Sequence, residues 1–191
     1  MEQKANVWKA NLTNGLILAM IGIVYTLVMY FLDLTINKTQ GYIFLLILVV
    51  SLFFLIKSYR DNYLHGYMTY GQAVGAGVVI FLYYAILMAI FTYILYAVID
   101  PGLIDKQIAA AEEIMAKKGL PQEAMDAALK IQKKMMKPEI MAPIGIFGNM
   151  LYGVIMSLVI AIFAKKEGNP LIDSPEAVSY THLTLPTNRE V

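Results

Sequence analysis

The sequence predicts an all-α membrane protein, a four-helix transmembrane bundle with an extramembrane amphipathic helical hairpin between spans three and four. Hydrophobic residues make up 59% of the 191 positions and charged residues only 15%, whereas a soluble domain has about 25% charged residues. Four stretches carry no charged side chain, at positions 10–32, 39–56, 66–99 and 140–164. Seven lysines and seven acidic residues lie together between the last two stretches, at positions 100–139.

The four uncharged stretches predict membrane spans at about residues 13–34, 41–57, 70–99 and 141–165, within a single domain covering residues 1–170. The hydrocarbon core of a bilayer is about 30 Å thick and requires about 20 apolar residues in a helix. Only helices and closed barrels satisfy the backbone in lipid, and these stretches lack the two-residue alternation of barrel strands. The short connection between the first two spans predicts that they are antiparallel neighbours.

Local sequence signals mark both ends of the third span. Thr69 and Gln72 match a capping box, in which the threonine hydroxyl accepts from a backbone N–H and the glutamine side chain reaches back. A helix over residues 70–99 is about 45 Å long, so we expect it to tilt or to protrude from the hydrocarbon. Asp100 precedes Pro101, and the residue before a proline is pushed out of the helical region, so the span ends there.

The charged block predicts two amphipathic helices that form the hairpin, at residues 101–138. The first covers about residues 103–118, where apolar residues recur at helical spacing, and Gly119 suits the position just past its end. The second begins near Pro121, which suits a first turn, and Pro138 stops it. Its acidic residues come early and its lysines late, as the helix dipole favours.

The end of the chain is predicted not to be native. Residues 178–187 read VSYTHLTLPT, which is the in-frame translation of a sequencing adapter, and such a segment is excluded from fold reasoning. We therefore assign residues 178–191 to the adapter and treat residues 171–177 as a short tail.

Two groups of residues resemble a known family. One group is SYRD at 58–61 with GYMTYGQA at 66–73; the other is IDPGLIDK at 99–106, then KG at 118–119, KP at 137–138 and a glycine-rich span ending in AKK at 164–166. In this order and spacing the chain resembles, over about residues 8–170, a bacterial membrane family known only as domain of unknown function 4199. The resemblance implies four membrane helices in the bacterial inner membrane, and it implies no activity, cofactor, partner or site residue.

Short basic flanks predict that the N- and C-termini are cytoplasmic, because cytoplasmic loops carry an excess of lysine and arginine. The basic residues expected on that side are Lys4, Lys9, Lys57, Arg60, Lys165 and Lys166. The seven lysines of the hairpin argue for the opposite orientation, since acidic residues count little in this rule.

The densest polar group on the predicted cytoplasmic side is a loop at residues 59–67, which contains Arg60, Asp61 and His65. These side chains either bind an anionic lipid headgroup or perform acid–base chemistry. In the alternative interpretation Arg60 sets the orientation, the tyrosines form an interfacial belt and His65 is solvated. A single histidine without any cysteine is a very weak indication of a metal site.

The start of the third span is a second candidate interaction surface, formed by Gly71, Gln72 and Gly75. Small residues four positions apart let helix backbones approach closely. Gly71 and Gly75 therefore form either a homodimer seam or a contact with other spans of the same chain. We expect Gly75→Leu to remove the oligomer or to prevent folding.

These features predict a non-enzymatic integral membrane protein that binds a partner or has a structural role. The span interiors lack the ionisable groups that mark ion and proton paths, and no catalytic set is visible. The expected partners are the lipid bilayer and a second copy or another membrane protein; with a net charge of +1, nucleic acid is not expected, nor is a cofactor or metal. The alternative is a small pore or transporter subunit, and an enzyme acting on lipid is the least favoured class.

Overall fold

The computed structural model describes residues 6–35 and 38–168, and this part of the chain is helical without strands. The helices are α1 (Val7–Phe31), α2 (Lys38–Tyr63), α3 (Tyr70–Ile94), a π-helix (Leu95–Ile99), α4 (Gly102–Lys117), α5 (Gln122–Met135) and α6 (Pro138–Ala164). The predicted tail and the adapter segment lie outside the described residues.

Four of these helices are long and apolar enough to cross a membrane, as the sequence predicted. They are α1, α2, α3 with its π-helix, and α6, and the mean hydropathy of their apolar windows lies between 2.0 and 2.5. The α-helix boundaries differ from the predicted span limits: α1 begins at Val7 and ends at Phe31, and α6 begins at Pro138. A helix that extends past the hydrocarbon satisfies its own backbone in water as well as in lipid, so hydropathy does not mark its ends.

The end of α2 corrects one prediction. The stretch at 59–67 was expected to be a loop, but α2 continues to Tyr63, so that Arg60 and Asp61 lie on its last turns. No helix-breaking residue occurs before Gly66, and the chain leaves the helix where His65 and Gly66 both adopt positive φ, at 53° and 83°. The loop proper is therefore only residues 64–69.

Helix α3 is the centre of the bundle. Its most extensive contacts are with α6 and α1, while α2 touches α1 and α6 and makes a smaller contact with α3. Close approach is possible because small residues line the contacts: a Cβ added at Gly15 would overlap Tyr83, and one added at Gly153 would overlap Phe81. Such packing of small residues against large ones is typical of helices in membranes, where van der Waals contact drives association.

The bundle is packed unevenly along its length. The buried residues of α1 all lie at or before Gly22, those of α2 from Leu48 onward, and those of α6 from Gly153 onward. Because neighbouring helices run in opposite directions, these positions fall in one half of the bundle, which we call the packed half. It contains the start of α1, and its outer end is the N-terminal face; the opposite end, next to α4 and α5, is the α4–α5 face.

The turns follow the local signals in the sequence. The predicted capping box is confirmed, since Gln72 N–H donates to Thr69 Oγ1 over 3.3 Å and Thr69 N–H donates to Gln72 Oε1 over 2.9 Å. Gly119 takes a φ of 69° just after α4, with the Leu120 N–H bonded to the Met115 carbonyl, as expected for a C-terminal glycine. Pro138 occupies the first turn of α6, where its missing N–H costs nothing.

Candidate functional site

Arg60 holds the end of α6 on the N-terminal face. Its Nη1 donates a 3.0 Å hydrogen bond to the Ala164 carbonyl, and its Nε donates a 2.8 Å bond to Asp61 Oδ1. The last carbonyls of a helix lack partners within the helix and carry partial negative charge, so a cation is favourable there. The Arg60 side chain is only 14% exposed, against 44% for Asp61. The structure therefore brings these two candidates together and gives Arg60 a packing role.

The loop after α2 is fastened to the chain that follows α6. Met68 and Lys166 exchange two backbone hydrogen bonds of 2.8 and 2.9 Å, and the Lys166 ammonium lies 5.4 Å from the centre of the Tyr67 ring. These contacts fix the C-terminal end of α6, which lies at the N-terminal face, relative to α2 and α3.

A cluster of cations surrounds the Asp61 carboxylate. Besides Arg60, the charges of Lys57 and Lys166 act on this carboxylate. Three cations against one acid leave a surplus of positive charge at this point, which suits contact with anionic headgroups. Lys57 and Lys166 were predicted only as orientation signals. Lys57 lies one turn before Asp61 on α2, whereas Lys166, which follows α6, is brought to the Arg60–Asp61 pair by the fold.

His65 does not join this cluster as a reacting group. It is exposed, and its φ of 53° places it at the left-handed position that ends a helix, which histidine adopts more readily than most residues. Its evident contribution is therefore to the turn between α2 and α3.

The three candidates at the start of α3 separate into two roles. The Gln72 side chain is used by the capping box. Gly71 and Gly75 have open space where a Cβ would be, with no atom of the described chain within 4 Å. By contrast, a Cβ at Gly77 would overlap Ser157, and the nearby Ile56 Cδ1 would lie 3.1 Å away. Contacts within the chain thus account for Gly77 but not for Gly71 and Gly75.

Two buried asparagines in α1, Asn11 and Asn14, were not predicted from the sequence. Asn14 Nδ2 donates to Asn11 Oδ1 over 3.0 Å and approaches the Leu55 carbonyl of α2 at 3.4 Å, while Asn11 Nδ2 donates to the Val7 carbonyl over 3.0 Å. Asn11 is fully buried and Asn14 is 7% exposed. Their spacing of three residues, on the side of α1 that also carries Leu18, was the available signal.

A second polar group lies at the α4–α5 face. Tyr30 Oη, near the end of α1, donates to Asp100 Oδ2 over 3.2 Å, and Lys106 Nζ lies 4.0 Å from the same oxygen. Asp100 directly follows the π-helix, and its N–H donates to the Leu95 carbonyl. A π-turn inserts an extra residue into a helix and is frequent at functional sites. Here the Asp100 side chain, directly after the π-helix, reaches Tyr30 in α1. The Asp100-Pro101 sequence predicted the end of the span but not this contact.

The buried polar side chains of the described residues are engaged within the chain. Within residues 6–35 and 38–168, no group of three or more histidine or acidic side chains is placed to hold a metal ion. Every fully buried side-chain nitrogen or oxygen in this part of the chain has a hydrogen-bond partner.

Comparison with known proteins supports the resemblance seen in the sequence. A family model described as "Protein of unknown function (DUF4199)" matches residues 13–166. Neither the curated proteins nor the solved structures contain a match to this chain.

Proposed function

The chain belongs to the DUF4199 family of proteins of unknown function, and we propose that it is a non-enzymatic integral membrane protein that binds a partner helix within the bilayer. The membrane in this proposal is the bacterial inner membrane, with the N-terminal face cytoplasmic and α4 and α5 forming an extramembrane hairpin on the other side. A second copy of the chain is the simplest partner.

The observation that carries the proposal is the use made of the polar side chains buried in the bundle. Asn11 and Asn14 bond to each other and to backbone carbonyls, and Ser157 Oγ donates to the Gly153 carbonyl over 2.6 Å. A site that transforms or transports a substrate needs polar groups directed at that substrate. These groups are instead satisfied by partners in their own helices and, for Asn14, also by the Leu55 carbonyl of α2.

The binding face in this proposal is the side of α3 that carries Gly71 and Gly75. Glycine in a helix costs about 1 kcal/mol relative to alanine, and this cost is commonly offset by close approach of another helix. Gly15, Gly77 and Gly153 have such neighbours within the chain. Gly71 and Gly75 have none there. Unlike the equally open but single Gly41, they lie four residues apart on one side of a helix, so the missing neighbour is assigned to the partner.

The proposal is tested by Gly75→Leu in full-length protein, purified in mild detergent after chemical crosslinking in membranes. Because the space at Gly75 is open, the variant should fold as the wild type does and lose the crosslinked partner. The matched control is Gly41→Leu, at an equally open position of α2, which should keep the partner. A Gly75→Leu protein that folds and still crosslinks would refute this face.

The alternative, a small pore or transporter subunit, has one feature in its favour. In the half of the bundle next to the α4–α5 face, α1, α2 and α6 carry no buried residue among those described. The packed half opposes it, because Leu18, Leu52 and Ile80 meet there with no exposure and close the axis with apolar side chains. Ion or solute flux through proteoliposomes that survives Gly75→Leu would favour the alternative.

The orientation in this proposal rests on the basic residues of the N-terminal face. Its described basic residues are Lys9, Lys57, Arg60, Lys165 and Lys166, against two acids, Asp61 and Glu167. A reporter enzyme fused at Gly119 should be active only outside the cytoplasm. Activity only in the cytoplasm would reverse the orientation and leave the partner-binding proposal intact.

A further inference from the structure

Helix α5 carries an apolar stripe that no described part of the chain covers. Ala124, Ala128, Ile131 and Met135 recur at spacings of four, three and four residues and so share one side of the helix. All four are exposed, Ile131 at 62% and Met135 at 47%. We call these four residues the exposed stripe.

The adjacent side of α5 is the one that packs within the protein. Met125 is buried, and Leu129, Gln132 and Met136 are half-buried at the same helical spacing. The elements that α5 contacts are α4 and α6. Intramolecular packing therefore uses only part of the apolar surface of α5.

The lysines of α5 occupy a third side. Lys130, Lys133 and Lys134 are all exposed, and at 3.6 residues per turn their mean direction lies about 135° around the helix from the exposed stripe. The exposed acids Glu123 and Asp126 share this side nearer the start of the helix. An apolar side and an opposing lysine-rich side are the arrangement of helices that lie in the membrane interface.

The position of α5 in the chain brings its C-terminal end close to a membrane span. Met135 ends α5, and the apolar helix α6 begins only three residues later at Pro138. Lys137, between them, has extended backbone angles of φ −65° and ψ 131°, so α5 is not a continuation of α6. Asp100, with φ −145° and ψ 83°, makes a similar break between the π-helix and α4.

We propose that α5, which lies outside the membrane-spanning bundle, rests along the bilayer surface, with the exposed stripe reaching the acyl chains and the lysines reaching anionic headgroups. The long lysine side chains can extend from a helix buried at this depth to the phosphates. Apolar side chains in contact with water are unfavourable, and burial of Ile131 and Met135 in lipid removes their apolar surface from water. The proposal does not depend on the α3 face, because it concerns a different surface and a different partner.

The chain contains no cysteine, which allows a direct test with single spin labels. Full-length Ile131→Cys, Ala124→Cys and Lys133→Cys proteins are labelled and reconstituted in vesicles of phosphatidylcholine and phosphatidylglycerol. Collision of each label with oxygen, which concentrates in lipid, is compared with collision with a water-soluble nickel chelate. All three positions are exposed, so the labels should not disturb the fold, and Lys133 is the matched control on the same helix.

The expected result is that oxygen dominates at Ile131 and Ala124, whereas the nickel chelate dominates at Lys133. Ala124 and Met135 are the two ends of the exposed stripe, about 16 Å apart along the helix, and Met135 is the end next to α6. A label at Ala124 that is exposed to water would therefore show that α5 projects away from the membrane, and this result would overturn the proposal. Protection of Ile131 from both reagents would also overturn it, since the stripe would then be covered by a second copy or another protein.

Discussion

The Arg60 guanidinium of α2 donates a 3.0 Å hydrogen bond to the Ala164 carbonyl at the end of α6. This bond joins two helices whose residues are 104 positions apart in the chain. Together with the paired hydrogen bonds between Met68 and Lys166, it closes the N-terminal face of the bundle.

Arg60→Met should lower the stability of the packed half. The variant keeps much of the side-chain volume but leaves the Ala164 carbonyl without its charged donor, and such a bond contributes about 1.5–3 kcal/mol. Thermal unfolding in detergent measures the loss. Asp61→Asn is the control, since Asp61 is more exposed, and an equal effect of both changes would contradict a capping role for Arg60.

Asn14→Ala should destabilise the contact between α1 and α2. It removes the donor to Asn11 Oδ1 and to the Leu55 carbonyl, and hydrogen bonds between membrane helices contribute about 0.6 kcal/mol on average and up to about 1.7 kcal/mol. Unfolding in mixed detergent would show the change. Thr13→Ala, at the exposed neighbouring position, should have little effect, and a comparable loss there would contradict a specific contribution of the Asn14 hydrogen bonds.

Gly77→Ala and Gly75→Ala should have opposite effects on the stability of the isolated chain. A Cβ at Gly77 would lie 2.8 Å from Ser157 Cβ, so overpacking should cost about 1–3 kcal/mol. At Gly75 the space is open, and alanine should stabilise the helix by up to about 1 kcal/mol. Both are measured by thermal unfolding of the monomer, and a stable Gly77→Ala protein would show that α3 and α6 are not so close.

Tyr30→Phe should loosen the end of the third span. It removes the bond to Asp100 Oδ2, which holds the residue after the π-helix against α1. Hydrogen exchange of the backbone at residues 95–100 should become faster, while exchange in the packed half of α3 stays the same. Tyr42→Phe, at a side chain that is 75% exposed, serves as the control. Unchanged exchange in Tyr30→Phe would show that the bond to Asp100 does not stabilise the end of the third span.

Acid should weaken α4 through Glu113. A hydrogen bond from Lys117 and the charge of that lysine lower the pKa of the Glu113 carboxyl, so the pair stabilises the helix above the ordinary pKa of glutamate, about 4.3. That contribution is lost as the pH falls through the lowered pKa. Carboxyl carbon NMR should show the Glu113 pKa rising toward its ordinary value in Lys117→Met; an unchanged pKa would mean that the 2.6 Å pair does not persist in solution.

Much of the architecture followed from the sequence by itself. Charge-free stretches of sufficient length indicate membrane helices, because burying a charged side chain in lipid has a high free-energy cost. The identity of each residue is enough to show whether it would carry that cost. The capping box at Thr69 and the turn at Gly119 are equally local, since each depends on a few consecutive residues. Family membership was also readable, from the order and spacing of short segments.

The tertiary structure decided which residues meet. Helix α3 is apolar around its whole circumference, so its sequence does not indicate which face turns inward, and only packing distinguishes the crowded Gly77 from the open Gly75. The partners of Arg60 and Asn14 that lie far away in the chain are the carbonyls of residues 164 and 55. Carbonyls are present in every residue, so no sequence pattern marks them, and contacts with them depend on how the helices rotate and approach one another.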